Sequence, residues 1–379
     1  MSKLKELIED IEEGRIETRN IKDVKGLLTS LNELNNMIGH KKIKDSISKQ
    51  VRYLIQMLND PYRQQEVMLN TVLYGPPGIG KTTVGIYLSK IWNCLGYLKQ
   101  PNIISTINKL IPTSSIEERV EMITYILIGF YTLSSVLIIV GKKIFNKFGV
   151  KAVIVYTITI VAVALIILFS LYRYLFDNKI VLKIKDHDIF RIVSRSEFVS
   201  EYLGQTAIKT LNLLKENMGK VLFIDEAYSL YEGKDDPYGM EALTTLNKFL
   251  SEHPRDIIVI FAGYKDMMKN TIFKVQQGLE RRCMWVFDCE PYTPEELFEI
   301  FKKQLTGSGW KIKESDKDAI LKLFRENYEY FSSFGGDTEK LCNFAKIEHC
   351  DKKKENFLID ESDVKRGLIR LKNNRATKV

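Results

Sequence analysis

Apolar residues recur at helical spacing where the chain begins. Leu4, Leu7, Ile8 and Ile11 share one face of an otherwise charged stretch, which predicts a short helix or helical pair within residues 1–30. From Asn35 to Asn59 a second stripe runs through Ile43, Ile47, Val51, Leu54, Ile55 and Leu58, and it stops at Asp60-Pro61, where a helix ends naturally. Then the period changes. Thr71-Val72-Leu73-Tyr74, Ile189 to Val193, Val221 to Ile224, Ile257 to Phe261 and Trp285-Val286-Phe287 are short runs rich in apolar residues, alternating with helix-like stretches such as Thr82 to Tyr97 and Ala207 to Glu216. Alternation of this kind predicts an α/β fold: a parallel sheet covered on both faces by helices. From Thr293 the pattern is helical to about Lys372, with Thr293 as N-cap, Pro294 at the first helical position and Glu296 three residues past the cap. That region reads as a separate helical lid.

Two runs do not fit a sheet-and-helix domain. Met122 to Gly141 and Ala152 to Tyr172 contain no charged residue. At about 1.5 Å rise per residue each is long enough to cross a hydrocarbon core of about 30 Å. They predict an inserted two-helix transmembrane hairpin, joined by the lysine-bearing loop Lys142 to Lys151. The resulting layout is an N-terminal helical piece over 1–30, an α/β domain over 31–99 and 188–292, an insertion over 100–187, and a helical lid and tail over 293–379.

Composition changes this picture little. The 379 residues are 45% hydrophobic and 27% charged, ordinary for a folded protein and long enough for two domains. The net charge of +8 comes from Lys and Arg scattered among Asp and Glu, and no basic stripe with interleaved aromatics appears outside the 142–151 loop to support a nucleic-acid partner. Cys94, Cys283, Cys289, Cys342 and Cys350 are odd in number and none are at CxxC spacing, which argues against a disulfide framework or a zinc finger. Cys342, His349 and Cys350 could suggest a metal site, but the two cysteines read better as reduced thiols in a helical region. The charged N-terminus is not a signal peptide.

The chemistry is concentrated at two places. Gly75-Pro76-Pro77-Gly78-Ile79-Gly80-Lys81-Thr82, followed by Thr83, fits GxxxxGK[ST] directly after an apolar strand and at the start of a helix. Its glycines let backbone N–H groups turn toward phosphate oxygens, and the helix start adds its positive end. Lys81 would place a charge on the β and γ phosphates, and Thr82 would hold Mg²⁺. The second place is Val221-Leu222-Phe223-Ile224-Asp225-Glu226, a buried strand ending in two carboxylates. Asp225 is placed to hold the same Mg²⁺, and Glu226 to deprotonate the attacking water.

At these residues the chain resembles a known family. The strings Tyr74 to Gly78, Tyr202-Leu203-Gly204-Gln205-Thr206, Asp225-Glu226-Ala227-Tyr228-Ser229-Leu230 and Phe261 to Asp266 are similar, in order, to the AAA+ branch of CbbX-type rubisco activases and the sporulation stage V protein K. The resemblance covers roughly 31–99 and 188–372. It implies a P-loop AAA+ ATPase using ATP and Mg²⁺, working as a ring, usually a hexamer. It implies that Met37, Ile38 and Gly39 cradle adenine, that Tyr202, Leu203 and Gly204 form a pore loop, and that Arg282 is an arginine finger, with Arg281 beside it as the fallback. Tyr264 and Lys340 are the candidates for the two sensor positions. Departures stand at Glu280-Arg281-Arg282, and at Gly335-Gly336-Asp337-Thr338-Glu339-Lys340, where relatives carry an arginine.

The expected function is a membrane-anchored ATPase that couples hydrolysis in a ring to remodelling of a protein partner of unknown identity. The alternative is a nucleotide-dependent membrane switch or scaffold with slow turnover. Because Lys81 and Asp225 must meet, both flanks of the hairpin lie on one side, and the expected localisation is an integral or monotopic membrane protein with its ATPase on the cytosolic side. The lysines of 142–151 oppose that orientation, and a hairpin dipping into one leaflet would relieve the conflict.

Overall fold

The computed structural model describes residues 2–60, 67–98, 189–202, 204–351 and 357–376. By contacts the chain divides into two units, Met1–Gln100 with Asp186–Val379, and Pro101–Lys185; the described residues all belong to the first.

Three helices precede the sheet: α1 (Lys3–Glu12), α2 (Val24–Asn35) and α3 (Lys41–Asn59). Ser2 caps α1 and Asp23 caps α2, each accepting a backbone N–H three residues on. The α1 stripe of Leu4, Leu7, Ile8 and Ile11 is buried against α3, and α2 lies along α4 (Lys81–Leu95) with Leu27, Leu31 and Leu34 inside. This opening stretch is packed into the α/β body through both helices.

The sheet has five parallel strands in the order β2-β3-β4-β1-β5. They are β1 (Thr71–Tyr74), β2 (Phe190–Val193), β3 (Val221–Ile224), β4 (Ile258–Gly263) and β5 (Trp285–Asp288). The three inner strands β3, β4 and β1 are buried at every position, as parallel strands covered on both faces must be. The edge strands are not: Ile192 and Val286 stand about half exposed. Register sets the site. Tyr74 lies opposite Gly263, and Ile224 opposite Phe261, so the carboxyl ends of β1, β3 and β4 finish side by side. Loops leaving these three ends share one crevice, the usual ligand position in open α/β sheets.

Further helices link the strands: α5 (Arg195–Phe198) and α6 (Thr206–Glu216) after β2, α7 (Pro237–Glu252) after β3, and α8 (Lys265–Asn270), α9 (Ile272–Val275) and α10 (Gln277–Arg282) after β4. The lid is α11 (Pro294–Gly307), α12 (Lys317–Glu326), α13 (Gly335–Asp351) and α14 (Glu361–Ala376). The α11 capping box forms as its residues predict, Thr293 accepting from Glu296 N and Glu296 from Thr293 N. Unanticipated is a second sheet, Lys311–Ile312 paired in parallel with Leu358–Ile359. In the lid core Phe324 stacks on Phe331 at 4.9 Å, and buried His349 Nδ1 meets Asp363 at 2.8 Å.

The expected membrane localisation is corrected. Among the described residues no helix is long and apolar enough to cross a membrane. The longest, α3, has 19 residues but carries Lys41, Lys42, Lys44, Asp45, Lys49 and Arg52, so its apolar stripe faces protein rather than lipid. The proposed hairpin, with helices over 122–141 and 152–172, lies outside the described residues, and no membrane anchor enters the function proposed below.

Packing between sheet and helix is tight where α4 crosses β3. A Cβ added at Gly85 would lie 2.8 Å from the Phe223 ring and 3.3 Å from that of Phe190. Gly85→Val should therefore destabilise the fold by about 1–3 kcal/mol, read as a lower urea midpoint; an unchanged midpoint would contradict this packing.

Candidate active site

The P-loop begins where β1 ends. Gly75 N donates to Gly263 O at 3.0 Å, continuing the β1–β4 ladder by one residue before the chain turns. Gly78 and Gly80 then adopt φ of +71° and +89°, a region open to glycine at little cost. Gly80 precedes the first turn of α4, so the N–H groups of Lys81, Thr82 and Thr83 lie at a helix start. Lys81 Nζ donates to Gly75 O at 3.0 Å and Pro76 O at 2.9 Å, folded over the loop it belongs to. Burial lowers the Lys81 ammonium pKa, opposed by Asp225, Cys289 and Glu226.

Asp225 and Glu226 leave the end of β3. Asp225 N donates to Val193 O at 3.1 Å, and its Oδ1 accepts from Glu226 N at 3.0 Å. Glu226 sits at φ 48°, ψ 45°, a left-handed conformation that costs a side-chain-bearing residue about 1–2 kcal/mol. Such strain gathers at functional positions, where the surroundings over-determine it. Tyr228 lies in the 3₁₀ turn Ala227–Leu230 directly after Glu226; burial and then the Glu226 carboxylate push its phenol up to about 12. Its ring lies 6.1 Å from that of Tyr264, which follows β4.

These pieces enclose one cavity of about 370 Å³. Pro77, Gly78, Gly80, Lys81, Thr82 and Thr83 form one wall; Asp225, Glu226, Tyr228 and Tyr264 form another. The lid closes it through Gly335, Gly336 and Glu339. Gly335 N donates to Gly78 O at 3.1 Å, and a Cβ on Gly78 would fall 2.0 Å from Ser333 O. A cation, two threonine hydroxyls and two carboxylates facing one space suit a triphosphate with its Mg²⁺: Lys81 and the α4 N-terminus could meet the anion, while Thr82 and Asp225 could offer hard oxygens to the metal.

Other expected residues lie elsewhere. Ile38 and Gly39 are half-buried just before α3, outside the cavity wall, and Gly39 (φ +71°) packs against the Tyr292 ring. Pro76 offers its carbonyl to Lys81, and Ile79 is fully buried. Arg282 is not in the cavity of its own chain: Nη1 donates to Asn247 Oδ1 at 2.8 Å and Gly278 O at 2.6 Å, and Nη2 to Ser251 Oγ. Arg281 beside it is exposed. Lys340 turns to Asp337 at 3.6 Å, and Glu339 occupies the cavity wall. Tyr202 is 65% exposed in the loop before α6, followed by Gly204 at φ +80°; Leu203 lies outside the described residues.

Two fastenings had no reading in the sequence. Behind the P-loop, His40 Nε2 donates to Ile79 O at 2.8 Å, and Tyr292 Oη donates to the same carbonyl at 3.0 Å. Buried His40 Nδ1 has no hydrogen-bond partner among the described residues. Burial lowers the His40 pKa, since protonation would add a second buried donor there. Only the placement of this histidine directly after Gly39, among four in the chain, could have drawn notice. The second is Arg195, whose guanidinium grips Asp236 with two parallel bonds, Nη1–Oδ2 at 2.7 Å and Nη2–Oδ1 at 3.0 Å. Asp236 also caps α7, accepting from Gly239 N, and its signal was the Asp236-Pro237 helix start.

Comparison with known proteins agrees with the geometry. A family model described as "ATPase family associated with various cellular activities (AAA)" matches residues 178–283. A putative cfxQ-like protein of Acanthamoeba polyphaga mimivirus is 27% identical over 93% of this chain and 66% of its own length. The CbbX protein of Cereibacter sphaeroides is 36% identical over 37% of this chain, and the chloroplastic ribulose bisphosphate carboxylase/oxygenase activase of Cyanidioschyzon merolae is 37% identical over 36%. The matches span 46% and 47% of those two proteins, about half their length. The chain carries an AAA+ ATPase domain, which uses ATP with Mg²⁺. Its homologues bear the names CfxQ and CbbX.

Two outcomes test the site. Gly78→Ala brings a Cβ against Ser333 O in a left-handed conformation, and it should weaken binding of a fluorescent ATP analogue at least about tenfold with the circular dichroism spectrum intact. The second concerns Asp236. Arg195 and the N–H groups of Glu232 and Gly239 outweigh burial and hold its carboxyl at about 2, below the usual value of about 3.9. Stability from this pair is therefore complete above the unfolded pKa and is lost as pH falls toward 2. Asp236→Asn should lower the urea midpoint at pH 7, with the gap to the parent narrower at pH 3.

Proposed function

We propose that this chain works as a ring-forming motor that couples ATP hydrolysis to remodelling of a protein partner. The observation that carries the reading is the split between what the cavity contains and what it lacks. Lys81, Thr82, Asp225 and Glu226 face one space, whereas Arg282 is held outside it on α7. A site complete in phosphate-binding and carboxylate groups, with its candidate arginine elsewhere, calls for an arginine from a neighbouring copy.

In this reading Lys81 and the α4 N-terminus bind and orient the β and γ phosphates, with Gly75 to Thr83 as the cradle and Ile38 and Gly39 beside the base. Thr82 and Asp225 would hold Mg²⁺, which would supply neutralisation of phosphate charge. Glu226, set by its left-handed backbone, takes the proton of the attacking water. Arg282 of one copy steadies charge on the phosphoryl group held by the next. Tyr264 senses the phosphate end of the cavity. Lys340, paired with Asp337, is a weaker candidate for the lid's sensor. Tyr202, Leu203 and Gly204 act as the paddle gripping a threaded segment. A protein as the object of the work is supported by one relative's name, that of an activase acting on a carboxylase.

A second reading, a nucleotide-dependent switch or scaffold with slow turnover, is favoured by Glu339, which puts an anion where a lid cation would assist. Glu226→Gln tests both. For the motor, the variant should bind ATP within about threefold of the parent while turnover falls at least about 100-fold. If parent and variant hydrolyse ATP equally slowly, the motor reading fails and the switch stands.

A further inference from the structure

We infer that Arg195 is the positioning residue through which the nucleotide site and the Tyr202 loop move together. The inference rests on the motor reading and deepens it. Arg195 opens α5 at the carboxyl end of β2, and the Tyr202 loop leaves the other end of that short helix. Its guanidinium reaches away from the loop into the segment behind the candidate catalytic carboxylate. Nη1 lies 3.0 Å from Ser229 O, 2.9 Å from Leu230 O and 2.7 Å from Asp236 Oδ2, while Nη2 holds Asp236 Oδ1 at 3.0 Å. Ser229 and Leu230 close the 3₁₀ turn that follows Glu226, and Ser229 N donates to Glu226 O at 2.7 Å. A displacement of Glu226 therefore reaches Arg195 through one turn of backbone.

Asp236 is equally committed. It is 9% exposed, it accepts from Glu232 N at 2.9 Å and Gly239 N at 2.8 Å, and it begins α7. One turn further, Glu241 Oε1 accepts from Ala207 N at 3.2 Å, at the start of α6, where the Tyr202 loop ends. The loop is thus tied to the same body at both ends, by Arg195 on its entry side and Glu241 on its exit side. Across the base of the loop, between its flanking helices, Lys209 Nζ donates to Ser196 O and Val199 O, both at 2.7 Å, and Ser200 N donates to Thr206 Oγ1 at 3.1 Å. These bonds stiffen its base and leave Tyr202 at an exposed tip.

A planar guanidinium is what makes this junction. It supplies two parallel bonds to one carboxylate and has hydrogens left for two main-chain carbonyls, a fork that a lysine cannot reproduce. Such a contiguous chain of bonds becomes evidence of coupling only when both ends respond together.

The test uses the full chain with Tyr202→Trp as reporter, comparing tryptophan fluorescence with ADP and with a slowly hydrolysed ATP analogue. The reporter protein should show a nucleotide-dependent change. Adding Arg195→Met should abolish the change while the affinity for the ATP analogue stays within about threefold. Adding Arg195→Lys, which keeps the charge and guards against misfolding of the Met variant, should cut it at least about threefold. A merely structural role for Arg195 would lower affinity and thermal stability together and leave the amplitude at saturating nucleotide intact, which overturns the inference. A full-amplitude change in the Lys variant overturns it as well. No change in the reporter protein itself would overturn both the coupling and the threading reading, so the two failures are distinguishable.

Discussion

The parallel pairing of β3, β4 and β1 is the constraint on which the rest depends. Their backbones are buried on both faces, so register cannot slip without placing apolar side chains among polar loops. With Ile224 level with Phe261 and Tyr74 with Gly263, the chain must turn out of all three strands at one edge. The P-loop, the Asp225-Glu226 pair and Tyr264 meet there as a consequence of pairing, although they are far apart in sequence. The last residue of the P-loop precedes Asp225 by more than a third of the chain, and only the sheet brings them together.

Around that edge the structure adds fastenings that hold the loops in unusual shapes. The Ile79 carbonyl receives two buried donors, His40 and Tyr292, which joins the segment before α3, the P-loop and the entry to the lid at one point. Gly335 N on Gly78 O joins the lid to the opposite side of the loop. Arg195 on Asp236 secures the stretch following Glu226. Each fastening uses buried polar atoms with defined partners, a type of contact that fixes geometry because the alternative is a desolvated, unpaired group. The left-handed Glu226 can persist only in such surroundings.

The sheet and the P-loop were legible in the sequence because buried parallel strands leave short apolar runs and because phosphate cradles need glycines at set spacing. The α11 capping box was legible for the same local reason. What was not legible depends on distance or on helix phase. Arg195 and Asp236 are 41 positions apart, and neither residue alone marks a pair. The two-residue strands of the lid are too short to show a period. Lys340 looked like the cation of the lid, yet the phase of α13 turns Glu339 to the cavity and Lys340 to Asp337. The uncharged runs at 122–141 and 152–172 led to the membrane localisation that was corrected. Apolar content states that a segment avoids water, not whether lipid or protein covers it.

The proposed ATPase site is composite, formed by one copy's P-loop and carboxylates and completed by another copy's Arg282. The most direct measurement is ATP turnover by an equimolar mixture of Lys81→Ala and Arg282→Ala chains, each inactive by itself. In a mixed assembly, an intact P-loop of the Arg282→Ala copy can sit beside an intact Arg282 of the Lys81→Ala copy. The mixture should recover a measurable fraction of parental turnover, rising with protein concentration as assemblies exchange. Turnover no higher than that of either variant alone, under conditions where the parent chain assembles and is active, would contradict it.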